Sequence, residues 1–231
     1  EMLSRGLRCA STVSSRSFAP TSCDPTAKYD FHPADEKDTG KIMDIALNHF
    51  IYTEPHAVAL GMTRESAKDL VDYVVSKSLH YPFGYTIAHR ESGKTVGFRL
   101  MSVEHKDESK DFEPFLLDFD KCGDAEQIFM TLTESMKDGV WKTHPEAKKV
   151  IRREITFVRR DHQRQGIAQH LLHLGLNFGK LKAEGYDGLR SEATSKANQT
   201  LLAKNGYTML MENERKSYIR KDGRPISFPD D

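Results

Sequence analysis

The residues of this chain best suited to chemistry lie just after Val158. Arg159, Arg160 and Arg164 crowd a polar turn against a single acid, Asp161, and Gly166 closes it. Before the turn, Val150 to Val158 reads as a strand, with Ile151, Ile155 and Phe157 supplying β-branched and aromatic side chains. After it, Ile167, Leu171, Leu174, Phe178 and Leu181 recur at spacings of four and three, which predicts one amphipathic helix. Helix N-termini favour anions, so cations gathered there are unfavourable unless something negative joins them. A phosphate or pyrophosphate held by backbone amides and neutralised by arginine resolves the conflict; a solvated basic turn is the alternative. Gly166 has no Cβ and would let a ligand approach the backbone, and Ala168 keeps the next exposed position small. With one glycine, the turn matches neither G-x-G-x-x-G nor G-x-x-x-x-G-K-S/T.

These residues need a frame, and the rest of the chain predicts one. Lys28 to His32 forms a short strand, and Asp35 to Ile51 a helix with Ile42, Ile45, Ala46 and Phe50 inward, ended by Pro55. A second helix runs from Arg64 to about Leu79, capped by Thr63. A hairpin follows, Gly84 to His89 and Thr95 to about Val103 around the turn Glu91-Ser92-Gly93-Lys94. Lys106 to Gly123 is a long acidic loop, and loops of that length are usually functional or mobile. Asp124 and Gln127 form a capping box that opens a helix to about Trp141. Last come a strand from Gly188 to Ala193, a helix from Lys196 to Lys204 closed by Asn205-Gly206, and an antiparallel pair, Tyr207 to Met211 with Lys216 to Lys221.

The organising segment resembles motif A of the GNAT superfamily of acyl-CoA-dependent N-acyltransferases. That motif is a hydrophobic strand ending in Val, four residues, then Gln/Arg-x-x-Gly-x-Gly/Ala; here it is Val158 and then Gln163-Arg164-Gln165-Gly166-Ile167-Ala168. The element order over roughly residues 27 to 228 is similar to that superfamily as well. Two further segments resemble the animal dopamine and arylalkylamine N-acetyltransferases. One is His49-Phe50-Ile51-Tyr52-Thr53-Glu54-Pro55-His56 with Leu60-Gly61-Met62-Thr63 after it; the other is the ending Lys221-Asp222-Gly223-Arg224-Pro225-Ile226. The resemblance implies a single α/β GNAT-type domain over residues 27–231, with a mixed, mostly antiparallel sheet and helices on both faces. It implies that the strands holding Val158 and Leu189 splay apart, so that Thr156, Phe157 and Val158 offer backbone groups to the pantetheine arm of acetyl-CoA. Gln163 to Ala168 would cradle its pyrophosphate, and Asn198 would touch CoA or cap its helix. Glu54, which by itself reads as a loop carboxylate, takes the place of the general base.

A base is useful because an alkylamine with a pKa of about 10.4 is neutral in only roughly one molecule per thousand near pH 7.4, a handicap of about 4 kcal/mol. A carboxylate near the amine can take its proton, and backbone N–H groups near Val158 can polarise the thioester carbonyl. Two positions depart from the family. Many GNAT enzymes carry a tyrosine general acid where this chain has Leu202; the insect relatives use two serines where it has Thr194 and Asn198, of which only Thr194 keeps a hydroxyl. A thiol with a pKa around 8.5 is a tolerable leaving group near neutrality, so turnover does not require the tyrosine.

Composition bounds the remaining choices. The chain has 231 residues, and Lys plus Arg and Asp plus Glu are both 34, which gives no global charge to attract nucleic acid or an anionic membrane. Three scattered cysteines and ten dispersed histidines make neither a disulfide framework nor a metal site, so no metal is expected. Residues 2 to 23 carry Arg5, Arg8 and Arg16, many serines and no acid, the composition of an organelle transit peptide or of a disordered tail. Residues 1–26 are therefore expected outside the fold, and the location mitochondrial, otherwise cytoplasmic. The function expected is acetyl-CoA-dependent N-acetylation of a small primary amine, an arylalkylamine first. A polyamine, diamine or lysine-like amine is the alternative, for which Asp107, Glu108, Asp111, Glu113, Asp118 and Asp120 would suit a polycation. A non-catalytic acyl-CoA-binding protein is the alternative of another class.

Overall fold

The computed structural model describes residues 7–12, 24–118, 122–214, 219–220 and 223–228. Its strands are β1 (Leu7–Thr12), β2 (Tyr29–Pro33), β3 (Tyr85–His89), β4 (Thr95–His105), β5 (Lys149–Val158), β6 (Gly188–Ala193) and β7 (Thr208–Asn213). They form one mixed sheet in the order β2-β3-β4-β5-β6-β1-β7. Only β5 and β6 pair in parallel; the other neighbours are antiparallel. Parallel neighbours need a crossover, and here it carries the cationic turn.

Strand alternation sends side chains to two cores. On one face Phe98, Leu100 and Phe157 pack with α1 (Thr39–Ile45), α2 (Pro55–Leu60) and α3 (Arg64–Leu79). Partly buried residues of α4 (Asp124–Lys137) also join this side. On the other face Met101, Val103, Ile151 and Leu189 meet Leu172, Leu181, Leu202 and Tyr207. The helices here are α6 (Ile167–Leu171), α7 (Phe178–Ala183) and α8 (Lys196–Lys204), while α5 (Gly139–Thr143) lies in the connection before β5. In β5 the alternation is interrupted. The register passes from Leu100↔Ile155 to Met101↔Arg153, which makes Glu154 the extra residue of a β-bulge.

Helix α3 has the expected span, and Thr63 caps it in a reciprocal capping box with Ser66. Elsewhere local chemistry overrides periodicity. The helix expected through Leu181 is two short ones, α6 and α7. Gly175, at φ 73°, breaks the run, and a Cβ there would collide with the Tyr85 hydroxyl; Asn177 then caps α7 by accepting from the Lys180 N–H. Pro55 does not only end a helix but begins α2, where its missing N–H costs nothing. The cap of α4 is Gly123 rather than Asp124, and the Gln127 amide donates to the Cys122 carbonyl. The strand expected to pair with Tyr207 to Met211 falls largely outside the described residues; β7 pairs with β1 instead. Residues 7–12, expected outside the fold, thus lie in the sheet between β6 and β7.

Candidate active site

Parallel pairing of β5 and β6 stops at Arg153↔Ser191, although β5 continues to Val158 and β6 to Ala193. A cavity of about 1120 Å³ opens through this gap. Thr156, Phe157 and Val158 line it from β5, and Thr194 and Asn198 from the β6–α8 side. Gln163, Arg164, Gly166, Ile167 and Ala168 line it from the crossover, and Glu54 from the opposite face; of the expected site residues only Gln165 is not on the wall.

The crossover loop is shaped by two left-handed residues. Gly166 sits at φ 79°, and Arg164 at φ 60°, a conformation costly for a side chain with a Cβ. Helix α6 has five residues, so its dipole is small; what the loop offers an anion is backbone N–H groups and the Arg164 charge. Gln163 turns back to donate to the Val158 carbonyl at 3.0 Å, which occupies one of the strand-edge groups expected to be open. Asn198 does not cap α8. Ser195 does, accepting from the Asn198 backbone N–H at 3.2 Å.

Glu54 is placed by a π-helical turn, Ala46–Phe50, closed by the Ile51 N–H donating to Ala46. Such turns re-aim the residues after them, and here they bring Phe50, Ile51, Thr53 and Glu54 to the cavity wall. The Glu54 carboxylate is 6% exposed and caps α2, accepting from the Ala57 N–H at 2.6 Å. Its other oxygen is 3.4 Å from Nδ1 of buried His56, whose ring packs edge-on to Phe129 and Phe228. Burial pushes the Glu54 carboxyl up, but His56, the Ala57 N–H and the Thr194 hydroxyl outweigh it and hold the group below its ordinary value. Thr194 therefore joins Glu54 across the gap. Leu202 is buried with Tyr207 in the core and offers no proton.

The two faces of the cavity differ in charge. On the Glu54 face, strand residues Glu104, Glu154 and Glu192 surround Arg152 at 3.1, 3.3 and 3.1 Å, with Arg190 behind them against Glu104 at 3.0 Å. Three carboxylates thus share two guanidiniums. Beyond them Glu113 accepts from Lys77 at 2.8 Å and from the Tyr73 hydroxyl; burial and that carboxylate raise the Tyr73 pKa to about 12. Of the acidic loop, Asp111 and Glu113 reach the cavity; Asp107 pairs with Lys110 away from it, and Glu108, not itself on the wall, pairs with Lys137, which is; Asp120 lies outside the described residues. On the opposite face of the sheet lie the buried guanidiniums of Arg153, on the cavity wall, and Arg99, off it. None of these strand charges was singled out in the sequence. The one signal was a charged residue where the strand pattern called for an apolar one.

Neither a protein-family model nor a curated protein sequence matches this chain. Solved structures do match it. Arylalkylamine N-acetyltransferase 2 from Aedes aegypti aligns over 88% of this chain and 93% of its own, at TM-score 0.66 and 16% identity. An agmatine N-acetyltransferase mutant aligns over 88% and 93% at TM-score 0.69 and 12% identity. The Drosophila melanogaster polyamine N-acetyltransferase that forms N-acetylagmatine aligns over 87% and 92% at 0.65 and 11%. A sheet opened between its two parallel strands, helices on both faces and these neighbours agree: the chain has the fold of the GNAT N-acetyltransferases.

Proposed function

We propose that this protein is an acetyl-CoA-dependent N-acetyltransferase whose acceptor is a small primary amine, an arylalkylamine in first place. The observation that carries this reading is the cavity through the gap between β5 and β6, with a cationic loop at one end and a buried carboxylate, Glu54, on the other face. An anionic thioester donor and a cationic amine would each meet the opposite charge. The loop of Arg164, Gly166, Ile167 and Ala168 would hold the pyrophosphate, and the β5 edge at Thr156 and Phe157 the pantetheine. Glu54 would take the ammonium proton and pass it to water; the freed nitrogen would bond to the acetyl carbon while the carbon–sulfur bond breaks, and the second proton, shed as the amide forms, would leave by the same carboxylate. Phe50, Val71, Phe129 and Phe157 give the amine side aromatic and aliphatic walls, which supports an aryl group. The Glu104, Glu154 and Glu192 cluster favours a second reading, an amine with a second cation at its far end.

Thiol release from acetyl-CoA in the presence of a panel of amines tests both. Release with phenylethylamines and not with diamines supports the aryl reading, and the reverse supports the dication. Tight acetyl-CoA binding with no release for any amine would make the chain a binding protein.

A further inference from the structure

Arg153 is the most buried cation on the cavity wall that lacks an anionic partner. It is 4% exposed, and its ring of contacts is made of hydroxyls: Nη2 donates to Thr156 Oγ1 at 3.0 Å and Nη1 to Ser191 Oγ at 3.4 Å. Its Nε has no hydrogen-bond partner, and among the described residues no carboxylate pairs with it. Burying a guanidinium without an anion is costly. Arg99, another buried cation whose field reaches it, differs in being satisfied by the carbonyls of Phe83 and Leu171. Arg153 is also where β5 and β6 last touch, so its side chain stands at the closed end of the gap.

The sides of the sheet decide what the missing anion is. Arg152 faces the carboxylates of the Glu54 side, and Arg153, the next residue, faces the side that carries α6 and α8. Beyond that last pair, Thr156 of β5 and Thr194, the residue after β6, both line the cavity, and the Thr194 hydroxyl bonds to Glu54. Hence a proton acceptor and an unpaired cation line the same cavity from opposite faces of the sheet. Resting on the acetyltransferase reading, we propose that Arg153 is the counter-ion of the CoA thiolate that leaves. As the amine nitrogen bonds to the acetyl carbon, the carbon–sulfur bond breaks and its electron pair stays on sulfur. Glu54, having passed the ammonium proton to water, takes the second proton that the nitrogen sheds as the amide forms, and the thiolate is held by Arg153 until it takes a proton from water on release. This accounts for a site with leucine at position 202: sulfur receives a charge partner instead of a proton.

The test compares CoA with acetyl-CoA, which differ at the sulfur alone. Arg99, His173 and Tyr207 are the charged and titratable groups whose fields reach Arg153; burial and the neighbouring cations bring His173 down to about 4 and Arg99 down to about 10, and burial raises Tyr207, so none of them changes charge between about pH 6 and the free thiol's pKa. A cation beside the thiol should weaken its hold on the proton about ten- to a thousandfold. Calorimetric titrations of the wild type should then show CoA gaining on acetyl-CoA as pH rises towards the free thiol's pKa, and levelling above it. Arg153→Met should flatten that gain, read as the ratio of CoA to acetyl-CoA affinity within the variant itself, and Arg153→Lys should restore most of it. A wild-type ratio that is constant up to the free thiol's pKa would overturn the assignment, even if no variant folds. So would a gain unchanged in Arg153→Met. Binding of neither ligand would remove the acetyltransferase reading with it.

Discussion

Glu54 is held in place by the helix it caps and is ionised well below neutrality, since its neighbours more than offset burial. Two consequences follow for its chemistry. A depressed pKa makes it a weak base, so in the proposed role its contribution belongs at or below the lower end of the general-base range, about tenfold to a hundredfold. It also stays charged across the neutral range, so the pH dependence there follows the amine. Glu54→Gln should therefore lower kcat by at least about tenfold near pH 7, with the deficit shrinking as pH approaches the amine's pKa. Steady-state kinetics at several pH values would show this, and a rise in KM alone would mean positioning instead. The sign for stability is that of a carboxyl with a lowered folded pKa: its contribution is present above the unfolded value and is lost as pH falls through the folded one. Glu54 was singled out only through the resemblance of Phe50 to Pro55 to a family segment, since by itself it reads as a loop carboxylate. Glu104, Glu154, Glu192 and Arg153 were not, because a charge in a strand reads as solvent-facing until the neighbouring strands are known.

At the level of elements, the bulge at Glu154 and the close approach of β4 to β5 set the shape of the gap. Gly97 makes that approach possible: a Cβ there would overlap the Phe157 carbonyl oxygen, a backbone atom that cannot step aside. Gly97→Ala should cost roughly 1–3 kcal/mol, the range for forced overpacking, measured by denaturant unfolding. It should also weaken acetyl-CoA binding, because the displaced strand edge is the one facing the cavity. An unchanged unfolding midpoint would mean that the strands part freely here. Elements built on their own residues were legible: α3 has its apolar face, its threonine cap and no interior glycine. The π-helical turn before Glu54, the break between α6 and α7 and the bulge were not, since each is decided by what packs against it or by a short-range signal inside a periodic run.

For the whole molecule, the segment between β6 and β7 matters most. Arginine- and serine-rich composition suggested an address that would be discarded, whereas residues 7–12 pair with both strands. The two readings make opposite demands on a chain that starts at Asp24. With β1 gone, β6 and β7 lose their shared partner, and a loss of about 2 kcal/mol would lower the melting temperature by roughly 4–8 °C. Calorimetric melting of the two lengths decides, and equal temperatures would make β1 dispensable. The placement of β1 has a mechanical side too. It runs antiparallel to both neighbours, with ladder bonds across its length on either edge. A motor that grips the chain upstream of Leu7 would pull along the strand and load both ladders in shear at once, so it could not peel the domain open one bond at a time.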